Sequence, residues 1–304
     1  MTRLVELGDR RVLHPGPLRW LRALGWMLAC ALAVVLMYVI GYLITLLITS
    51  AFVPGVHIIP KVTAPPLVEI AASVVGAAAV LTGYPALVRL GEGRPASELD
   101  WSKALPELGI GLALGASLML ATGLVLWITG WAHYAPSAIT GGSRAVSVSV
   151  QSGVVEEVTF RLVLLRLVWR AAGIWPALAA SALFFGGAHL NNPGSSWFAA
   201  LCIAFEAGVL LAAFYILTGR LWISIGLHAG WNFTQGWLLG SPVSGTRDFV
   251  GGPLKMTPTP GVPDWMSGGA FGPEASIGAL LICTVVGLWV LWVAWQQGRL
   301  ENSG

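Results

Sequence analysis

Long apolar stretches separated by short polar junctions are the main pattern of this sequence. Most of them are close to the roughly 20 residues that an α-helix needs to cross a bilayer. We therefore predict an all-α, polytopic membrane protein that forms one integral membrane domain over residues 1–304. Its eight predicted transmembrane helices cover residues 24–49, 67–87, 108–131, 146–168, 174–190, 197–217, 221–239 and 275–295.

The composition supports a lipid bilayer as the surrounding solvent. Only 10% of the 304 residues are charged and 56% are hydrophobic, whereas a soluble globular protein carries roughly 25% charge. A soluble domain and a disordered chain are therefore excluded. The basic residues are scattered singly, without the interleaved aromatic residues typical of nucleic-acid binding, so we predict no nucleic-acid partner. The three cysteines lie inside apolar runs and indicate neither a disulfide framework nor a zinc ribbon.

The distribution of Lys and Arg predicts the orientation of the helices, because basic residues accumulate on the cytoplasmic side. With the N-terminus inside, 12 of the 17 basic residues fall on the cytoplasmic side and four fall outside, with Arg161 left within a span. We expect both termini to be cytoplasmic and the protein to be a multi-pass component of the plasma (cell inner) membrane. The connection 240–273, rich in Pro, Gly and Ser, is expected to be an exposed loop on the outer side.

The fourth predicted helix contains three charged residues in an otherwise apolar run: Glu156, Glu157 and Arg161. An ionisable group inside a membrane is costly unless it is paired or hydrated, so each is a candidate functional residue. Glu157 and Arg161 are four residues apart with the acid first, which is the favourable order for an ion pair. Glu156 points about 100° away, which leaves its carboxylate available for chemistry. A structural ion pair that links two helices would explain the presence of Glu157 and Arg161 but not that of Glu156.

Two further predicted helices carry histidines. His189 ends the fifth helix, and His228 lies four residues before Asn232 on one face of the seventh. A lone membrane histidine is more often a structural hydrogen-bonding residue than a catalyst. The fourth and fifth helices should form a hairpin that turns near Gly173, which puts Glu156 and His189 at the same depth and allows a hydrogen bond between them. We expect these groups to share one cavity that opens to the cytoplasm.

These side chains suit hydrolysis of an amide bond. A carboxylate and an imidazole that face one water can share the removal of its proton. A second imidazole and a carboxamide supply two donors for a developing oxyanion. The sequence has no Gly-x-Ser-x-Gly elbow that would offer a serine nucleophile, and its cysteines are distant in sequence from these motifs. The residues therefore indicate hydrolysis without a covalent nucleophile.

The same residues carry a resemblance to the CPBP family, which comprises CAAX proteases and bacteriocin-processing enzymes and is also called ABI. This chain contains three segments that resemble the three ordered motifs of that family: Glu156-Glu157-x-x-x-Arg161, Phe185-x-x-x-His189 and His228-x-x-x-Asn232. Residues 146–233 contain them, and we predict that these residues form the catalytic core. By this resemblance, Glu157 and Arg161 would support the site.

The resemblance implies an intramembrane glutamic endopeptidase similar to the type II CAAX prenyl endopeptidase, with no metal or other cofactor. It implies that Glu156 activates the hydrolytic water with help from His189, while His228 and Asn232 stabilise the oxyanion. The substrate would be a membrane-associated peptide, prenylated or not, or a small secreted or signalling peptide.

Three other functions remain open. Two histidines and a glutamate can be ligands of a zinc-dependent membrane protease, although His-Glu-x-x-His is absent and Asn232 would lack a role. The protein could instead be a non-catalytic membrane binding protein, for example one that confers immunity to a toxic peptide. A transporter is the third alternative, because Glu206 in the sixth helix is an intramembrane carboxylate that a proton relay could use. The interpretation that we favour for Glu206 is a hydrogen bond to a neighbouring helix or hydration of the cavity.

Overall fold

The computed structural model describes residues 4–58 and 63–301; Arg3 and Lys61, both included in the charge distribution above, lie outside the described residues. Eight long helices in this part of the chain correspond to the eight predicted segments, and the all-α class is confirmed. They are α1 Arg19–Ser50, α2 Pro66–Gly91, α3 Ala104–Ile128, α4 over 142–172, α5 Ile174–Ala188, α6 Trp197–Thr218, α7 over 222–238 and α8 Ile277–Gln296.

Five helices in the described residues are individually long and apolar enough to cross a bilayer: α1, α2, α6, α8, and α3 extended by its preceding turns to Ser97–Ile128. The number is lower than eight for physical reasons. α5 has only 15 residues, and α4 carries four ionisable side chains between residues 156 and 166. In α7, ten of the 12 residues Trp222–Phe233 are buried inside the protein. A helix enclosed by other helices does not need an apolar face towards lipid, so polar residues are tolerated there.

Glycines bring α3 and α7 into backbone contact. A Cβ atom added at Gly111 or Gly115 would lie 2.3 Å or 2.1 Å from a carbonyl oxygen of α7. Gly226 and Gly230 on α7 approach the backbone of α3 in the same way, at 2.4 Å and 2.5 Å. The Gly-x-x-x-Gly spacing in α3 thus serves close helix packing. Its consequence is that α7, which carries two of the candidate site residues, is held against a rigid neighbour.

A two-stranded antiparallel ribbon is the regular β-structure of the described residues. Strand β1, Ala132–Pro136, follows α3 and pairs with β2, Leu254–Pro258, with Tyr134 opposite Met256. The ribbon ties the long connection between α7 and α8 to the end of α3.

The connection 240–273 differs from the exposed loop that its composition predicts. It contains β2 and a one-turn helix, Asp264–Ser267, and it buries Phe249 and Phe271. Phe271 packs in a cluster with Phe185 of α5. These aromatic anchors supply the apolar burial that a Pro- and Gly-rich composition alone does not suggest, so part of the segment covers the helices.

Buried ion pairs join the ends of α2 and α4 to the turn before α3. The Arg166 guanidinium lies 2.5 Å from Glu92, and the Arg94 guanidinium lies 2.8 Å from both Glu92 and Glu98. All four side chains are at most 5% exposed. Burial alone would raise the pKa of Glu92, but Arg166 and Arg94 hold it below its ordinary value. Arg94 and Arg166, which the charge distribution treats as topology signals, are therefore also parts of the protein interior.

Candidate active site

The candidate residues lie where the helices depart from regular α-geometry. In the described residues, π-helical stretches occur in α4 at Ser152–Glu156 and Val158–Leu165, in α6 at Ala204–Val209 and in α7 at Thr234–Leu238. Such turns are uncommon and are found frequently at functional sites. The residue between the two stretches of α4 is Glu157. The same three helices supply most of the polar side chains described below.

Glu157 and Arg161 form the ion pair predicted from their spacing. Both side chains are fully buried, and the Arg161 Nε atom lies 3.0 Å from Glu157 Oε2. Arg161 also donates a hydrogen bond of 2.6 Å to the carbonyl oxygen of Ala207 in α6, and its guanidinium lies 4.7 Å from the ring centroid of Phe185. The pair therefore connects α4 to α5 and α6.

His228 lies between the two glutamates of α4. Its Nδ1 atom is 3.0 Å from Glu157 Oε1, and its Nε2 atom is 3.9 Å from Glu156 Oε2. The Glu156 side chain is 33% exposed, in contrast to the fully buried Glu157. Among the described residues, Glu156 thus has its ion-pair contact with His228 rather than with His189, the partner that the hairpin argument favours. The hairpin of α4 and α5 takes no account of α7, which brings His228 to Glu156.

His189 follows the last residue of α5, where its Nδ1 atom lies 2.8 Å from the carbonyl oxygen of Phe185. Its ring stacks on Phe185 at 5.2 Å between centroids, and Phe185 meets the ring of His228 edge-on at 6.0 Å. Because its Nδ1 atom is paired with a carbonyl, His189 presents Nε2 for other contacts. Phe185, the phenylalanine of the second motif, therefore contacts both imidazole rings and helps to set their orientation.

Asn232 lies one turn after His228 and is also buried. Its Nδ2 atom donates a hydrogen bond of 3.0 Å to Ser152 Oγ at the start of the first π-helical stretch. The third motif thus faces α4 through both of its polar residues.

A cavity of about 40 Å³ lies beside these groups. His189, His228 and Asn232 line it, whereas Glu156 reaches it only through its contact with His228. A volume of about 10–15 Å³ is needed for one water, so the cavity has room for a few waters or for one small polar group. It is too small for a prenyl chain.

Two further carboxylates line this cavity. Glu206 of α6 is 5% exposed, and neither of its oxygens has a hydrogen-bond partner among the described residues. Glu274, in the 3₁₀ turn that precedes α8, accepts hydrogen bonds from the Ser244 backbone N–H and from its hydroxyl at 2.9 Å. Trp231 Nε1 lies 3.5 Å from the other Glu274 oxygen. Burial raises the pKa of the Glu274 carboxyl, although Ser244 and His189 act in the opposite direction.

Sequence reasoning identified Glu206 as an unusual intramembrane acid but missed Glu274. An acid at the start of a helix is ordinarily a solvated residue that interacts favourably with the helix dipole. The one signal available was its position next to a long apolar run, and that signal does not reveal burial.

The described residues contain no group of three or more His, Cys, Asp or Glu side chains arranged to hold a metal ion. The two motif glutamates are instead hydrogen-bonding and ion-pairing partners of His228.

Residues 142–234 match the family model described as type II CAAX prenyl endopeptidase Rce1-like. The matched segment is just under a third of the chain and contains all seven motif residues, so the resemblance found in the motifs is confirmed over this segment. The match supports a membrane endopeptidase of the CAAX type in general. No curated protein and no solved structure matches the chain.

Proposed function

We propose that this protein is an intramembrane glutamic endopeptidase that hydrolyses a peptide bond with a water activated by Glu156. The observation that carries the proposal is the arrangement of the two glutamates around His228. Glu157 is neutralised by Arg161 inside the protein, while Glu156 is partly exposed and has no arginine or lysine partner among the described residues. A carboxylate in this position is free to accept a proton.

In the proposed reaction, Glu156 takes a proton from water while the water oxygen bonds to the carbonyl carbon of the substrate. His189 assists through Nε2. The C–N bond of the tetrahedral intermediate then breaks, and the proton on Glu156 passes to the leaving nitrogen. The products are a carboxylic acid and an amine, and no covalent enzyme intermediate is formed.

His228 and Asn232 would stabilise the negative oxygen of the intermediate. Because His228 Nδ1 pairs with the Glu157 carboxylate, this histidine can donate from Nε2 only as an imidazolium. The carboxylates on both sides favour that charged form. Asn232 adds an amide donor one turn away on the same helix, and the loss of one oxyanion donor typically costs about 10²–10³ in kcat.

We propose a membrane-associated peptide, prenylated or not, as the substrate, and the plasma (inner) membrane as the site of action. The small cavity has no room for a lipid chain, so a prenyl group would have to lie outside it.

The test is a cleavage assay with purified protein in detergent or vesicles and a panel of prenylated and unmodified membrane peptides. Glu156→Gln and His189→Ala should each lower kcat/KM by about 10²–10⁴, the usual contribution of general acid–base catalysis. Glu69→Gln, which alters a carboxylate paired with Arg144 outside the site, is the matched control and should retain activity. Equal turnover by the wild type and both site variants would refute the mechanism. Binding of a peptide without cleavage by well-folded wild type would favour the non-catalytic alternative.

A further inference from the structure

Glu206 and Glu274 form a pair of buried carboxylates that the proposed hydrolysis does not use. They come from α6 and from the turn before α8, and both line the cavity that His189, His228 and Asn232 also line. Burying two like charges together is costly unless a proton or a cation compensates them. The pair therefore needs an explanation of its own.

The acceptors of this pair are only partly satisfied by the protein. Both oxygens of Glu206 lack a hydrogen-bond partner among the described residues. One oxygen of Glu274 is occupied by Ser244, whereas the other has only the long contact of 3.5 Å from Trp231. Three acceptor atoms are thus available at the cavity. An ammonium group has three N–H donors, and a guanidinium has five, so an ammonium is the closer match.

The size and walls of the cavity fit the same kind of ligand. About 40 Å³ accommodates a compact head group but not the whole of a long side chain. Leu210, Leu227 and Trp231 supply apolar wall surface against which methylene groups can pack, as they do for a buried lysine stem. No residue that lines the cavity is a lysine or an arginine. The free carboxylate at the end of a peptide would therefore meet two acids there and no fixed cation.

We propose that Glu206 and Glu274 form a subsite for a primary ammonium group of the peptide substrate, next to the bond that is cleaved. The inference rests on the proposed endopeptidase function and names a substrate class for it. The ammonium could belong to a lysine side chain or to the N-terminus of a short peptide. The other titratable groups near the pair are His189, His228, Cys202 and Cys283.

The test uses peptides that differ at one position, scanned over the three residues on each side of the cleaved bond. Lysine is compared with norleucine, which keeps the methylene stem and removes the charge, and short peptides are compared with free and acetylated N-termini. The expected result is a preference of tenfold or more in kcat/KM for lysine at one position, or for the free N-terminus. Glu206→Gln should remove that preference and leave the norleucine or acetylated peptide within about threefold of its original rate. Glu69→Gln should leave the preference unchanged.

Equal cleavage of charged and neutral peptides at every position would overturn the subsite and leave the endopeptidase intact. A Glu206→Gln variant that slows both kinds of peptide equally would also overturn it, because a structural or proton-transfer role does not distinguish them. If wild type cleaves no peptide, the proposed function fails, and thermal unfolding then decides the subsite separately. In that assay, n-butylammonium should raise the Tm of wild type more than n-butanol does, and Glu206→Gln should abolish the difference. Equal shifts in both proteins would overturn the subsite.

Discussion

Replacement of Gly115 by alanine tests whether the contact between α3 and α7 positions the candidate catalytic groups. The new Cβ atom would lie 2.1 Å from the carbonyl oxygen of Leu227 and 2.7 Å from the backbone nitrogen of Trp231. These two residues directly precede His228 and Asn232 in the sequence. Both contacts involve backbone, so no side-chain rotation can relieve them.

The size of the effect follows from these distances. A carbon atom ordinarily approaches a carbonyl oxygen no closer than about 3.3 Å, so the helices must separate by about 1 Å. Overpacking of this kind typically costs about 1–3 kcal/mol in stability. A displacement of about 1 Å at a catalytic group can cost about 10²-fold in rate. We therefore expect Gly115→Ala to lower kcat/KM by about 10²-fold in a protein that still folds.

Gly109→Ala is the matched control for this prediction. Gly109 lies on the same helix, and a Cβ atom there would meet no atom within 4 Å. Both substitutions raise helix propensity by about 1 kcal/mol, so their difference isolates the contact with α7. The measurements are peptide cleavage and thermal unfolding in detergent. If Gly115→Ala retains activity within about threefold of Gly109→Ala, the idea that this contact positions His228 is wrong.

Three further outcomes are expected. Arg161→Leu should destabilise the protein by about 3–5 kcal/mol, because the buried Glu157 carboxylate would lose its arginine and keep only the contact with His228. In thermal unfolding, a second change, Glu157→Gln, should recover part of the loss. An unchanged Tm in the single variant would contradict this role of Arg161. Because the pKa of Glu92 is lower in the folded protein than in the unfolded chain, its contribution to stability is present above the ordinary glutamate pKa of about 4.3 and is lost as the pH falls through the lowered value. The Tm of the wild type, measured from pH 7 to pH 3, should therefore fall at the acid end of this range. The Tm of Glu92→Gln should fall less steeply. Parallel Tm curves for the two proteins would exclude the contribution of Glu92 to stability. Peptide cleavage should persist after prolonged dialysis against EDTA, whereas a loss of activity that zinc restores would support the zinc-dependent alternative.

The local features of the site could be predicted from the sequence. The Glu157–Arg161 ion pair depends on a spacing of four residues within one helix, and regular helix geometry fixes such neighbours. The divergence of Glu156 from Glu157 follows from the same geometry, and the exposure of the two side chains differs accordingly.

Contacts between segments distant in sequence could not be predicted in the same way. The depth of His189 follows from the predicted hairpin, but the partner of Glu156 depends on how α7 packs against α4, and the ion-pair contact of Glu156 is with His228. The composition of 240–273 indicated exposure, yet Phe271 packs against Phe185, and Ser244 reaches the cavity. Neither contact produces a periodic pattern of hydrophobic and polar residues in the sequence.

By itself, the sequence determined that this is a helical membrane protein and which residues could carry its chemistry, because hydrophobic length and spacing within a helix are local properties. The tertiary structure alone decided that Glu206 and Glu274 share a cavity with the motif histidines and Asn232. It also decided that His228 lies between Glu156 and Glu157. The physical reason is that contacts between residues distant in sequence depend on how whole helices rotate and pack against one another. Close backbone contacts such as those of Gly115 fix that rotation.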